Sequence, residues 1–296
     1  MTMLVEKYRP KRFEDVIGID ERIIEACNQD MPHFLFVGKP GTGKTTTARI
    51  IINVLKADCL QLNASDERGI ETIRDKVKSF AMTKSTNDKL KIVFLDEADY
   101  LTPIAMVSLR NIMEAYHKNC RFILTGNYGN KFIDAIVSRC VRVEFREPPT
   151  NDVIARLKHV VKEESIKITD EALSAIVGRF YPDIRRMINT LQELSTLGRQ
   201  IIISDVKKEE KLVPELFSLL KQKKLIDARK LLLNNSVDYE TLTLTIYDWV
   251  WSSSLTSPQK IDVIQHLCNV DKFLGSVVSK ELLFADFMVK VIKCLN

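Results

Sequence analysis

The chain has 296 residues, of which 45% are hydrophobic and 28% charged, and its formal net charge is +5. This is the composition of an ordinary globular protein with room for two or three domains. The charge is compatible with a polyanionic partner without requiring one, and no apolar stretch is long enough to span a membrane.

Short apolar runs alternate with segments of helical periodicity between Met31 and Phe145, which is typical of a mostly parallel sheet with helices on both faces. The runs predict strands at Phe34–Val37, Cys59–Leu62, Ile92–Leu95, Phe122–Thr125 and Val141–Phe145. The segments between them predict helices at Thr46–Val54, Ile70–Phe80, Pro103–Tyr116 and Lys131–Val137. Residues 1–147 are therefore predicted to form an α/β domain.

Pro148 and Pro149 interrupt this alternation and predict a domain boundary, because proline disrupts both strands and helices. We expect Thr150 and Asn151 to cap a helix that runs through Val160. Further helices are predicted at Ala172–Phe180, Ile184–Ser195, Val213–Lys221, Leu225–Asn234, Tyr239–Ser252, Gln259–Val270 and Lys272–Leu295. The pattern predicts a small helical domain over residues 148–207 and an all-α domain over residues 208–296.

The N-terminus lacks the apolar core and the cleavage site of a secretory signal. None of the six cysteines has C-x-x-C spacing, so we expect no zinc site. Free buried thiols suit a reducing compartment. These observations together predict a cytoplasmic protein.

Residues 38–45 match the phosphate-binding pattern G-x-x-x-x-G-K-[ST], with a predicted strand before them and a predicted helix after them. Glycines allow successive backbone N–H groups to surround an anion, and the helix N-terminus adds partial positive charge. Lys44 would reach the terminal phosphates, and the Thr45 hydroxyl would ligate Mg²⁺. The motif predicts nucleotide binding without indicating what the nucleotide is used for.

The strand predicted at Ile92–Leu95 is followed directly by Asp96 and Glu97. The carboxyl end of such a strand faces the ligand crevice, so Asp96 is suited to organise Mg²⁺ and Glu97 to polarise an attacking water. Asn127 follows another strand and could orient that water or contact the γ-phosphate, but from its glycine-rich surroundings alone a turn is the favoured interpretation. Arg139 and Arg185 have no local signal that distinguishes them from surface arginines.

Five motifs then occur in a fixed order: Glu6–Pro10, the phosphate loop, Leu62–Ile70, Asp96–Asp99 and Ser138–Cys140. In this order they resemble the clamp-loader ATPase subunits of the AAA+ superfamily. The sequence is similar to replication factor C small subunits and to the ATPase subunit of T-even-type phage clamp loaders. The resemblance spans residues 4–197, and the C-terminal part matches by its helical character.

This resemblance implies ATP and Mg²⁺ as cofactors and an ATP-hydrolysing activity. It implies an adenine pocket at Tyr8, Arg9 and Pro10, and phosphate contacts from Gly38, Lys39, Pro40, Gly41, Thr42, Gly43, Lys44, Thr45 and Thr46. Asn127 matches the sensor-1 position and Arg185 the sensor-2 position. Arg139 matches the arginine finger, which acts on ATP held by the neighbouring subunit. Lys44, Glu97, Asn127, Arg139 and Arg185 are thus the expected catalytic residues, with Thr45 and Asp96 at the metal.

The family also implies a five-subunit assembly, with an ATPase domain, a helical lid and a C-terminal collar in each subunit. ATP binding would open a ring-shaped sliding clamp and grip primer–template DNA, and hydrolysis would release the clamp on the DNA. The region that faces the DNA backbone in the family holds Arg68, Arg74, Lys76 and Lys78. Without the resemblance, these four residues would be interpreted as a solvated helix face.

Two departures from the family pattern stand out. Residues 82–88, where family members carry apolar clamp-docking residues, are polar here apart from Met82. The lid carries Pro182 and Asp183 where cellular subunits tend to have Gly-Asp, a form closer to the phage version. A non-catalytic scaffold subunit and another AAA+ DNA-processing ATPase, such as a branch-migration motor, remain as alternatives.

Overall fold

The computed structural model describes residues 3–83, 85, 89–206, 208–235 and 237–295, and for residues 208–210 it describes the backbone only. Part of the polar segment after Met82, namely Lys84, Thr86, Asn87 and Asp88, lies outside the described residues. The chain divides into two compact units, of which the first ends at Ile201 and the second begins at Ile202.

The first unit contains a five-stranded sheet in which every neighbouring pair of strands is parallel. Its strands are β1 (Phe34–Gly38), β2 (Asp58–Asn63), β3 (Lys91–Asp96), β4 (Cys120–Gly126) and β5 (Val141–Phe145). The order across the sheet is β2-β3-β4-β1-β5, with Phe34 of β1 in register with Ile123 on one side and Val141 on the other. Each predicted strand is present, and all but β5 extend slightly beyond the predicted limits.

The described helices of this sheet region are α1 (Leu4–Lys7), α2 (Glu21–Cys27), α3 (Lys44–Val54), α4 (Ile70–Thr72), α5 (Lys78–Met82), α6 (Pro103–Tyr116) and α7 (Asp134–Val137). Helix α6 has the predicted limits because the Thr102 hydroxyl accepts from the Ala105 N–H and Pro103 occupies the first turn. The helix predicted at Ile70–Phe80 is not one regular α-helix, since a π-helical segment, Ile73–Val77, joins α4 to α5. Its buried residues Ile73, Val77 and Ala81 repeat at intervals of four, and the wider turn keeps them on one side.

Side chains on the two faces of the sheet form separate apolar layers, as expected from the alternation along a strand. Leu35 and Val37 of β1 face the layer that contains Leu109 of α6. Phe34 and Phe36 face the layer that contains Ile51 of α3. Each fully buried side chain of this size contributes about 1.5–3 kcal/mol. The prediction of helices on both faces is therefore confirmed.

Three helices complete the first unit: α8 (Thr150–Glu163), α9 (Asp170–Phe180) and α10 (Ile184–Ser195). The prediction that Thr150 and Asn151 cap α8 is wrong, because Thr150 is already helical and Pro149 occupies the N-cap position. Proline favours the extended backbone needed there but offers no side-chain acceptor. Helix α10 does have such a cap, since the Asp183 carboxylate accepts from the Arg186 N–H at 3.1 Å.

The described part of the second unit is helical: α11 (Ile203–Val206), α12 (Lys208–Lys221), α13 (Leu225–Asn234), α14 (Tyr239–Ser252), α15 (Ser257–Leu274) and α16 (Lys280–Cys294). The predicted break after Val270 is wrong, because the buried side chains of Val270 and Leu274 lie one turn apart on the same helix. The chain leaves that helix at Gly275, and the Ser279 hydroxyl caps α16. Over the residues described, no helix combines the length and apolar character needed to cross a membrane.

Candidate nucleotide-binding site

The phosphate-binding motif forms the turn between β1 and α3. Gly41 and Gly43 have φ angles of 76° and 100°, which favour glycine. Gly41 has a second constraint, since a Cβ there would lie 2.2 Å from Oδ1 of Asp183, the residue that caps α10. The loop therefore contacts the three-helix region closely enough to exclude any side chain at this position.

Lys44, at the start of α3, is buried with only 8% of its surface exposed. Its Nζ donates to the carbonyl oxygens of Gly38 and Lys39, at 2.7 Å each. Burial lowers the pKa of Lys44 to about 8, although the carboxylates of Asp96 and Asp99 oppose this shift. The ammonium group is thus held against carbonyl oxygens of the loop, with a pKa well below that of a free lysine.

A hydroxyl–carboxylate cluster lies beside the loop at the carboxyl end of β3. Thr45 Oγ1 donates to Asp96 Oδ1 at 2.9 Å, and Thr125 Oγ1 donates to the same oxygen at 2.6 Å. Thr45 and Asp96 offer the hard oxygen ligands that Mg²⁺ prefers, with phosphate and water oxygens as its usual additional ligands. This pair fits the predicted metal site.

Glu97 follows Asp96 in a left-handed backbone conformation, with φ 54° and ψ 38°. Its N–H donates to Thr125 Oγ1 at 3.0 Å, so Thr125 links the backbone of Glu97 to the carboxylate of Asp96. A non-glycine residue in this conformation costs free energy, and such strain concentrates at functional sites. The sequence analysis assigned Thr125 no role. A hydroxyl residue at the carboxyl end of a buried strand is the feature that could have suggested one.

Asn127 follows β4 and its N–H donates to Asp99 Oδ2 at 3.3 Å. Asp99 is 4% exposed, and its Oδ1 has no hydrogen-bond partner among the described residues. Because β3, β4 and β1 are adjacent, Asp96, Asn127 and the phosphate loop follow neighbouring strands at one edge of the sheet.

A cleft lies between the loop, the N-terminal segment and the three-helix region. Burial is the largest cause that lowers the pKa of Arg9, repulsion from the charges of Arg49 and Arg185 lowers it further, and the carboxylates of Glu6 and Asp96 oppose the shift. A polyanion would relieve this repulsion. The cleft is lined, among others, by Tyr8, Arg9, Pro10, Gly41, Thr42, Gly43, Lys44, Thr45, Thr46, Arg156, Ile184, Arg185 and Ile188.

Other residues of the predicted nucleotide site lie outside the lining of this cleft. They are Gly38, Lys39, Pro40, Asp96, Glu97 and Asn127. The Lys39 side chain turns away, since its Nζ pairs with Glu147 at 2.5 Å. Arg156, Ile184 and Ile188 were not predicted to take part, because no motif or spacing connects them to the loop.

Arg139 is exposed and does not line the cleft of its own chain. Its guanidinium forms an ion pair with Glu114 near the end of α6. Its Nη1 donates to the carbonyl oxygen of Ala135 at 2.6 Å. Arg139 thus lies outside the cleft of its own chain, whereas Arg185 lines it.

All four predicted DNA-contact residues are exposed, and two of them have intramolecular partners. Lys76 Nζ pairs with both carboxylate oxygens of Glu67 at 2.7 Å. Arg68 Nε donates to the carbonyl oxygen of Ser65 at 2.8 Å. Arg74 belongs to the π-helical segment, and Lys78 begins α5 four residues later.

Family comparisons agree with this architecture. Residues 34–148 match the family of ATPases associated with various cellular activities (AAA), and residues 149–202 match the sliding-clamp-loader large subunit, AAA+ ATPase lid domain. A solved structure of the RuvB Holliday junction branch migration motor of Thermotoga maritima has a TM-score of 0.55 at 18% identity. That likeness covers 80% of this chain and 88% of the RuvB chain, and it supports the fold alone.

Sequence relatives extend the comparison. Replication factor C small subunit 2 of Pyrobaculum arsenaticum is 45% identical over 213 residues, which cover 69% of this chain and 66% of the relative. This match spans just under two thirds of that relative. The replication factor C small subunit of Archaeoglobus fulgidus is 36% identical over 290 residues, 90% of each chain. The chain therefore belongs to the replication factor C small-subunit family of AAA+ clamp-loader ATPases.

Proposed function

We propose that this chain is an ATPase subunit of a sliding-clamp loader. ATP with Mg²⁺ would bind in the cleft beside the phosphate loop, and its binding would open a ring-shaped clamp and grip primer–template DNA. Hydrolysis would then release the clamp on the DNA. The observation that carries this proposal is the convergence of Lys44, Thr45, Asp96 and Arg185, while Arg139 lies on the outside of the chain.

Residues in the cleft and at the adjoining carboxyl ends of β3 and β4 have separate physical roles in this proposal. Lys44 and the backbone N–H groups of the loop would hold the phosphates, and Arg185 would add charge from the lid. Thr45 and Asp96 would hold Mg²⁺, which supplies charge neutralisation at the phosphates when bound. Tyr8, Arg9 and Pro10, with the apolar Ile184 and Ile188, would enclose the base. Glu97 and Asn127 would orient the attacking water.

Arg139 would act on ATP bound to a neighbouring subunit. A guanidinium placed at the transferred phosphoryl group stabilises its developing charge and raises turnover by about 10³–10⁵-fold. Since Arg139 is exposed and paired with Glu114, contact with a neighbour requires no unfolding of its own chain. Hydrolysis would therefore depend on assembly.

The domains take corresponding roles in the proposal. Residues 1–147 would form the ATPase domain, residues 148–207 the lid and residues 208–296 a collar that joins five subunits. Arg68, Arg74, Lys76 and Lys78 would face the DNA backbone, giving affinity without base specificity. Met82, which is 54% exposed at the end of α5, is the apolar candidate for clamp contact.

The test is to co-purify this chain with the products of neighbouring genes, and to measure ATP turnover with and without clamp and primed DNA. We expect both additions to stimulate turnover. Lys44→Ala should abolish ATP binding, whereas Lys118→Ala, which removes an exposed lysine after α6, should leave it unchanged. A rate of ATP turnover that does not change when clamp and primed DNA are added would favour another AAA+ ATPase. Failure of the chain to bind ATP would favour a scaffold subunit.

A further inference from the structure

The N-terminal segment Leu4–Pro10 forms one wall of the nucleotide cleft. Hydrogen bonds connect it to the three-helix region α8–α10, which is called the lid below. The Leu4 N–H donates to Gln192 Oε1 at 2.9 Å, and Gln192 belongs to α10. At the other end of the segment, Arg156 Nη2 of α8 donates to the carbonyl oxygen of Tyr8 at 2.7 Å. Both ends of α1 are thereby fixed to lid helices.

Glu164, which follows α8, makes the central contact. Its Oε1 accepts from Lys7 Nζ and from Tyr8 Oη, at 2.5 Å each. These bonds lower the pKa of Glu164, with the Lys7 bond the larger cause, so the group is a carboxylate at neutral pH. Hydrogen bonds to an ionised acceptor are stronger than those between neutral groups. The Glu164 side chain is 22% exposed and the Lys7 side chain 50%, so solvent screens this ion pair in part.

The segment held in this way lines the same cleft as the phosphate loop. Tyr8, Arg9 and Pro10 line the cleft, whereas Glu164 and Gln192 do not. The two residues instead line a separate pocket together with Leu4 and Lys7, so their effect on nucleotide binding would pass through the wall they hold.

We propose that Glu164 and Gln192 are positioning residues for the nucleotide base, which set ATP affinity by holding the Leu4–Pro10 wall against the lid. This inference rests on the proposed nucleotide site and adds residues that no motif assigns to it. It assigns the two residues to binding of the nucleoside and not to phosphate chemistry. Their loss should weaken ATP binding while leaving binding of a bare polyphosphate unchanged.

The experiment compares the unsubstituted full chain with Glu164→Gln and Gln192→Ala, and uses Glu193→Gln, an exposed carboxylate on α10, as a matched control. Calorimetry gives the Kd for Mg·ATP and, separately, for inorganic tripolyphosphate. Loss of one such anchor should raise the Kd for ATP about fivefold or more. The Kd for tripolyphosphate should not change, and in the assembled complex KM for ATP should rise while kcat at saturating ATP stays constant.

Amide hydrogen exchange supplies a readout independent of the nucleotide. The amides of the Leu4–Pro10 segment should exchange faster in both variants and at the original rate in Glu193→Gln. Gln192→Ala removes a bond to the backbone alone, so it tests the inference even if Glu164→Gln fails to fold.

An unchanged Kd for ATP in a folded variant overturns the inference, as does an equal loss of ATP and tripolyphosphate binding. These results leave the proposed function intact, provided that the unsubstituted chain binds and hydrolyses ATP. If the unsubstituted chain binds no ATP, the proposed function fails and this inference fails with it.

Discussion

ATP binding by this chain should weaken as the pH rises through about 8, because the ammonium group of Lys44 loses its proton there. A lysine with its ordinary pKa of about 10.4 stays charged to pH 9 and would give a flat profile. With a pKa of about 8, the charged fraction falls from about 90% at pH 7 to about 10% at pH 9. If only the charged form holds the phosphates, the Kd for ATP rises about tenfold, which is about 1.4 kcal/mol.

Unfolding of the site does not explain such a loss. The folded pKa of Lys44 lies below its unfolded value, so the unfolded chain binds more protons between pH 8 and 10.5. The contribution of this group to stability therefore increases as the pH rises through that window. ATP affinity and the stability contributed by Lys44 should change in opposite directions.

The assay is calorimetric titration of Mg·ATP between pH 7 and 9 at constant ionic strength. Repeating it in buffers of different ionisation enthalpy measures proton uptake on binding, which should be close to half a proton at pH 8 for a pKa of about 8. Lys44→Arg is the control, since guanidinium remains charged over this range and should flatten the profile. A flat profile in the unsubstituted chain, or an equal slope in Lys44→Arg, would refute the reasoning.

Three further predictions concern other residues. In the assembled complex, Arg139→Ala should lower turnover by about 10³-fold or more with the Kd for ATP unchanged, whereas Arg142→Ala should turn over normally; equal rates in both would disprove a trans role. Gly41→Ala should lower the free energy of unfolding by at least about 1–2 kcal/mol, because the position is left-handed and crowded, and an unchanged melting temperature would contradict this. Replacing Arg74 and Lys78 by alanine should reduce the salt slope of DNA binding by about 0.9 for each phosphate that is no longer neutralised, and an unaltered slope would return both residues to a solvated surface.

The sheet was predictable because its signals are local. Buried parallel strands give continuous apolar runs, and Thr102 with Pro103 marks the start of α6. The break after Val270 was placed wrongly, since a new helix was predicted to begin at Lys272, whereas burial of Val270 and Leu274 keeps one helix continuous. Packing thus overrode the local pattern.

The candidate site was predictable only in part, for the same physical reason. The loop and Asp96 carry motif signals, and the family comparison agrees with the resemblance drawn from those motifs. Arg156 and Glu164 lie far from Tyr8 in sequence and contact it only after folding. The spacing of residues in the sequence does not predict such a contact. The roles of the individual site residues remain predictions.

The contact at Gly41 has a consequence for how the chain can transmit movement. Asp183, which occupies the space of a missing side chain at Gly41, also caps the helix that carries Arg185. A shift of the loop by the width of a methyl group would press on the first turn of that helix without any intermediate residue. Gly41 and Asp183, which are separated by more than a hundred residues of sequence, are thus in direct contact.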